Sequence, residues 1–186
     1  MKRVMGLLAL TLALAAAAPG FSQELTAEEI AARLLAQKEG VLTRGLIIAP
    51  TGDVPADAVT PGVDVAAANY IVVPESEQVN IRISFNFDSA ALNESEKPKI
   101  LTMCEVVKTV DVNTFRIVGH TDASGTAEYN ESLSKLRAEE VKRFMVEDCG
   151  IDGARLEAVG VGEQFPAVAD DPRNDQNRRV EFQALS

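Results

Sequence analysis

Asp122 and Arg137, a carboxylate and a guanidinium 15 positions apart, are the side chains whose settings most suggest chemistry. Asp122 closes the tetrapeptide Gly119-His120-Thr121-Asp122, directly after the run Thr114 to Val118. That run predicts a strand, and open sheets bind ligands just past their strand ends. Arg137 lies in a predicted helix from about Thr126 to Asp148. At about 100° per residue from Leu133, the residues Phe144, Val141, Met145 and Ala138 fall between roughly 20° and 140°. Arg137 falls at roughly 40°, inside this apolar stripe, and an unpaired buried charge is costly. Helical side chains lean toward the N-terminus, so Arg137 reaches back toward the loop at residues 122–126, where Gly125 permits a tight turn or the close approach of a ligand. Two arrangements satisfy both charges. They can pair as an internal salt bridge, or they can bind the two ends of a zwitterion. In the second case Asp122 takes an ammonium and Arg137 grips a carboxylate through two parallel hydrogen bonds.

The elements that must position this pair follow from hydrophobic periodicity. Val79, Ile81, Ile83, Phe85 and Phe87 alternate with polar residues and predict a half-buried strand. A helix capped by Asn93 or Ser95 follows, with Pro98 in its first turn. Then come the strand Thr114 to Val118, the long helix, a strand from Arg155 to Val161, and a last strand through Val180, Phe182 and Ala184. The order β-α-β-α-β-β predicts an α+β, two-layer sandwich with two main helices on one face of a four-stranded mixed sheet. Alternation puts Arg178 on the inner face with Val180 and Phe182, paired with a buried acid such as Asp88, and points Arg179 outward.

Upstream of this unit the character changes. Lys2 and Arg3 precede an apolar run from Val4 to Ala18, then Pro19 and the small residues Gly20 and Ser22. That is the layout of a signal peptide, residues 1–22, and the run is shorter than the about 20 residues of a membrane span. The expected product is exported to the periplasm, where it can associate with the outer membrane. Residues 23–77 read as an N-terminal arm. Thr26-Ala27-Glu28-Glu29 is a capping box opening a short helix to about Lys38, with Gly40 as its stop. Leu46 to Ile48 is a candidate strand, and a Pro/Gly/Asp-rich linker runs from Pro50 to Ala68. Residues 78–186 form the folded domain. Export permits a disulfide between Cys104 and Cys149, both predicted on helices over one sheet; two buried free thiols are the alternative.

Composition removes most other functions. The 186 residues carry 28 acidic and 18 basic side chains, for a net charge of −10, and only 5 % are aromatic. Nucleic acid binding needs a basic surface and, for single strands, stacking rings. One His and two Cys cannot build a multi-histidine or all-cysteine metal site, and no metal or other cofactor is expected. His120 has no second His or evident nucleophile to complete a catalytic set, so the protein reads as no enzyme and His120 as a structural hydrogen-bonding residue. The run Asp170 to Asp175 reads as a solvated loop, without the ligand spacing of an EF-hand.

A longer pattern surrounds the Asp/Arg pair. Phe87-Asp88-Ser89 is followed by Gly119-His120-Thr121-Asp122, Gly125, Tyr129-Asn130, Leu133-Ser134 and Arg137-Ala138. Gly160, Gly162-Glu163, Pro166 and Asn177-Arg178-Arg179-Val180-Glu181 complete it in order. This pattern resembles the OmpA-like C-terminal family over about Val79 to Leu185. The resemblance implies non-covalent binding of peptidoglycan through the diaminopimelate of its stem peptide, contributing to cell-envelope integrity. It assigns the ligand's ammonium to Asp122 and its carboxylate to Arg137, with Ser89, Ala90, Thr121 and Asn130 lining the same pocket. Family members usually carry a barrel, lipid or helix that tethers them to a membrane. No such tether is expected here, which leaves the arm as a spacer, a weak membrane contact or the recruiting element for an outer-membrane or periplasmic protein. Its short helix, whose apolar face is small, reads as merely stabilising. The alternative function is accordingly a periplasmic assembly subunit whose N-terminal arm binds a protein partner.

Overall fold

The computed structural model describes residues 25–44, 70–85 and 89–185. The predicted signal peptide, the strand at residues 46–48, the linker and the pair Phe87-Asp88 lie outside the described residues. The elements are α1 (Ala27–Arg44), β1 (Val79–Ile81), α2 (Lys97–Thr109), β2 (Phe115–Gly119), α3 (Ala127–Glu147), β3 (Leu156–Gly160) and β4 (Val180–Ala184). The sheet order is β1-β4-β2-β3. β4 is antiparallel to both of its neighbours, and β2 runs parallel to β3 with Gly119 opposite Gly160. The expected mixed four-stranded α+β sandwich is therefore what the chain forms.

Apolar side chains of one sheet face meet the helices. Phe115, Ile117, Phe182, Val79 and Val180 pack against Ile100, Met103, Val107, Val141, Phe144 and Met145. The Cys104–Cys149 disulfide joins α2 to the end of α3 across this core, with Cα atoms 6.2 Å apart. α3 is capped by Thr126, whose hydroxyl accepts from the Tyr129 N–H. Its buried stripe changes character along the helix: Asn130, Ser134 and Arg137 in the first half, then Ala138, Val141, Phe144 and Met145. Core packing fixes the second half, and the first is left for polar work.

α1 is a third helix of this layer. Its capping box forms as expected, with Thr26 N–H donating to Glu29 and Glu29 N–H to the Thr26 hydroxyl. Gly40 does not stop it; a Cβ added there would meet open space, and the helix continues to Arg44. Ile30 and Leu34 enter the core. Buried Gln37 accepts from the Ala184 N–H and donates to the Glu77 carbonyl. It thus satisfies sheet backbone beyond the short end of β1.

β1 is shorter than its alternation implies. The burial alternation persists, with Ile83 buried and Ser84 exposed, but ladder pairing ends at Ile81 and only a single bridge joins Phe85 to Leu92. Asn93 turns its side chain to the Ser84 carbonyl instead of capping α2, and Pro98 sits at the first positions of that helix.

The second sheet face is covered as well. Val118, Val159 and Val161 pack with Tyr70 and Phe165. Here Glu181 is completely buried and accepts from the Tyr70 hydroxyl at 2.9 Å and the Gln183 amide at 2.9 Å. His120 Nε2 lies 3.2 Å from the same carboxylate, a structural role as expected. Burial lowers the His120 pKa against the opposing pull of Glu181. Arg179 points to this face, away from the helices as alternation expects, but is buried there instead of solvated, with Nη2 3.8 Å from Glu181. Alternation alone treats the far face of a two-layer sheet as solvated; residues 70–73 and the loop after β3 cover it.

Candidate functional site

The site forms where β2, the start of α3, the loop after β3 and the entry to β4 converge. β2 ends at Gly119, and His120 N–H then bonds the Arg179 carbonyl while Thr121 N–H bonds the Gly162 carbonyl. These bonds fix the backbone up to Asp122. Ala123 N–H reaches the Pro172 carbonyl, tying the loop at 122–126 to the segment before β4. Gly125 adopts φ 109°, left-handed backbone that suits a residue without Cβ, and brings the chain against Tyr129 and Asn130.

α3 approaches the sheet more closely than side chains normally allow. A Cβ added at Gly119 would fall 2.0 Å from the Ser134 carbonyl oxygen, and one at Gly160 would fall 2.3 Å from the Lys135 nitrogen. The paired glycines seat the helix directly on β2 and β3. Ser134 completes the seat by accepting from the Gly162 N–H at 2.9 Å. Asn130 donates to the Asp122 carbonyl at 3.2 Å and also bonds Glu163.

Asp122 and Arg137 do not form an ion pair with each other. Asp122 Oδ1 accepts from the Ser124 N–H at 2.9 Å, and Oδ2 from Arg178 Nη1 at 2.6 Å. Burial pushes this carboxyl up, but those hydrogen bonds outweigh it and hold its pKa below the ordinary Asp value. Arg137 is only 9 % exposed. Its Nε donates to the Ser89 carbonyl at 3.4 Å, and its guanidinium lies 4.8 Å from the centre of the Phe85 ring. Among the described residues no carboxylate lies within ion-pairing distance of it. Burial is the main influence drawing its pKa down, with Tyr129 and Asp122 opposing and Arg178 adding to it. Arginine stays charged under such shifts.

Of the other expected lining residues, Ser89 reaches Arg137 through its carbonyl, and Ala90 is half-buried next to it in the chain. Thr121 is buried with its hydroxyl unpaired among the described residues. Periodicity misassigned Arg178. It leaves a 3-10 turn, Asp175–Asn177, and precedes the first residue of β4, so strand parity does not apply to it. It does pair with a buried acid, as expected, and that acid is Asp122; the Arg178 side chain itself is 47 % exposed instead of turned to the inner face. The readable signal was the local turn chemistry: Asn174 caps that turn through the Gln176 N–H.

The described residues thus define an α+β domain with a polar cluster at one end of its sheet, in which Asp122 bonds Arg178, Arg137 lies within electrostatic reach of both, and Glu163 bonds Asn130. The chain belongs to the OmpA family, whose model matches residues 84–179, just over half of its length. It is 35 % identical over 122 residues to outer membrane porin F of Pseudomonas aeruginosa, covering 64 % of this chain and 35 % of that one. It is 39 % identical over 103 residues to the peptidoglycan-associated lipoprotein of Pseudomonas putida, covering 53 % and 59 %. The chain therefore spans less than two thirds of the length of these curated relatives. Two solved structures share the fold. One is the OmpA-like domain of FopA1 from Francisella tularensis, with TM-score 0.50, 24 % identity and coverage of 59 % of this chain and 75 % of that one. The other is a MotB-like protein from Desulfovibrio vulgaris, with TM-score 0.50, 22 % identity and coverage of 84 % and 93 %. Among the described residues no helix is long and apolar enough to cross a membrane.

Proposed function

We propose that this protein binds peptidoglycan non-covalently in the periplasm, through the diaminopimelate of the stem peptide. Asp122 takes the ligand's ammonium and Arg137 its carboxylate. The observation that carries this reading is Arg137: a nearly buried guanidinium, seated on Phe85 and held by one backbone carbonyl, with no carboxylate partner among the described residues. A charge in that setting costs stability unless an anion meets it. Asp122 supplies the complementary end, kept ionised by its hydrogen bonds. Family membership and the name of the Pseudomonas putida relative support the wall as the ligand. Thr121, Asn130, Ser89 and Ala90 line the pocket in this reading.

Co-sedimentation with insoluble diaminopimelate-type peptidoglycan tests it. The wild-type protein is retained, and Asp122→Ala and Arg137→Ala are each lost to the supernatant. Equal retention of all three refutes the assignment.

A further inference from the structure

One edge of the sheet borders a cleft of about 760 Å³. The order β1-β4-β2-β3 puts β1 at that edge, and the stretch from Gln78 to Arg82 lines the cleft. The ladder fixes which main-chain groups face it. Leu185 N–H bonds the Thr114 carbonyl in the β4–β2 pairing, so the alternate residues Val180, Phe182 and Ala184 turn their main-chain groups to β1. Their partners Ile81 and Val79 are thereby paired inward, and Gln78, Asn80 and Arg82 turn theirs outward. Two of the outward carbonyls are taken by side chains of the helix layer: Arg33 donates to Gln78 at 2.7 Å and Lys99 to Arg82 at 3.0 Å. Between them the exposed Asn80 keeps its N–H and carbonyl without a partner among the described residues.

The two walls of the cleft differ in chemistry. Leu25, Ile30 and Thr102 stand on the helix side, and Tyr70, Phe165 and Arg179 on the side of the second sheet face. Arg179 Nε bonds the Asn80 side chain at 3.1 Å, so Asn80, and by alternation Arg82, belong to this second wall. Arg82 is exposed and makes no ion pair among the described residues, and Arg179 Nη1 is buried without a hydrogen bond among them. The charged lining is Arg82, Lys99 and Arg179 against Glu75, with Lys99 also bonded to Glu96. On a chain of net charge −10 this cleft is locally cationic.

We propose that the cleft is an interaction surface for a partner protein, which adds to β1 an extended segment of alternating apolar and acidic residues. The added strand exchanges main-chain hydrogen bonds with Asn80, and its side chains supply the selectivity. Successive side chains of a strand point to opposite faces. The apolar set therefore meets Leu25 and Ile30, and the acidic set meets Arg82 and the Arg179 side. Leu25 and Ile30 precede the domain in the chain, so the arm and the domain recognise the segment together. Neither Asp122 nor Arg137 lines this cleft, and the surface acts independently of the wall-binding reading.

The test is an amide NMR titration of the full chain with end-blocked peptides. Val-Glu-Val-Glu-Val is compared with Val-Lys-Val-Lys-Val, with the reordered Val-Val-Val-Glu-Glu, and with the first peptide methylated at every backbone nitrogen. The acidic alternating peptide is expected to shift the Asn80 and Arg82 amide signals and to bind about tenfold more tightly than the lysine peptide. Reordering weakens binding by about threefold or more, and methylation by about tenfold, since it removes the strand's hydrogen bonds. Arg82→Glu, a change at an exposed side chain, weakens the acidic peptide about fivefold and leaves co-sedimentation with peptidoglycan unchanged. Equal binding of the acidic and lysine peptides overturns the proposal, and so does undiminished binding of the methylated one. Absence of binding by every peptide, or shifts that spare Asn80 and Arg82, overturns it as well. A peptide-free protein that self-associates through these two residues, with Arg82→Glu monomeric, gives the edge to a second copy and overturns the partner.

Discussion

Replacing Gly119 by Ala should reveal how tightly the polar cluster is tied to the fold. The added methyl carbon falls 2.0 Å from the Ser134 carbonyl oxygen and 2.8 Å from its carbon. Non-bonded heavy atoms settle at about 3.5 Å, so α3 must retreat by more than about 1 Å or the strand must buckle. Overpacking commonly costs about 1–3 kcal/mol when flexible side chains yield. Here the obstacle is helix backbone, already seated on Gly160 and bonded through Ser134 to Gly162. The expected loss is therefore about 3 kcal/mol, at the upper end of that range. For a domain of this size that corresponds to a fall in Tm of about 10 °C. Far-UV circular dichroism melts, with the disulfide intact, measure it directly. Retention on peptidoglycan should weaken too, since Asn130 and Arg137 ride on the displaced helix. A Tm within about 2 °C of wild type would refute the close seating of α3.

The same substitution elsewhere has the opposite sign. Gly40→Ala, in the interior of α1 with open space around it, should raise stability by about 0.5–1 kcal/mol, read as a higher urea midpoint. Reducing the Cys104–Cys149 bridge, which closes a separation of 45 residues, should lower stability by up to about 4 kcal/mol in matched denaturant titrations. Stability should also fall on acidification. The folded pKa of His120 lies below its ordinary value, so the unfolded chain takes up the proton first as pH drops below about 6.5, by at most about 1.4 kcal/mol per pH unit. Glu181, whose folded pKa is also lowered, adds a further loss in the ordinary carboxyl range. Melts of wild type and His120→Gln across this window should show a flatter profile in the variant; parallel profiles would exclude His120 as the source.

Periodicity read the scaffold well because the elements that build it bury one clear face. The stripe on α3 put Arg137 on the buried side of the helix, and the loop after β2 located Asp122; Ser89 was signalled only by the family resemblance. The misassignments have a common cause. Alternation describes a residue inside a paired strand, and Arg178 lies just outside one. Arg179 sits on a face that Tyr70 and Phe165, among the described residues, help remove from water. The small apolar face of α1 marked it as a stabilising helix, but not where in the fold it packs. Yet Leu34 is fully buried, and Gln37 completes the sheet's hydrogen bonding through pairings 147 residues apart. No local pattern carries such contacts. The pairing of Gly119 with Gly160 was equally hidden, since it depends on strand register.

α3 is clamped at both ends by different means: two glycines under its first half, and a covalent bridge just past its C-terminal end. The two clamps divide the labour of the helix. Opening the bridge loosens the chain beyond the C-terminal end of α3, whereas filling either glycine tilts the half of the helix that carries Asn130, Ser134 and Arg137. Resistance to unfolding and affinity are thus separable quantities in this domain. A change in thiol redox state would alter how long the fold survives without altering how Asn130 and Arg137 are set.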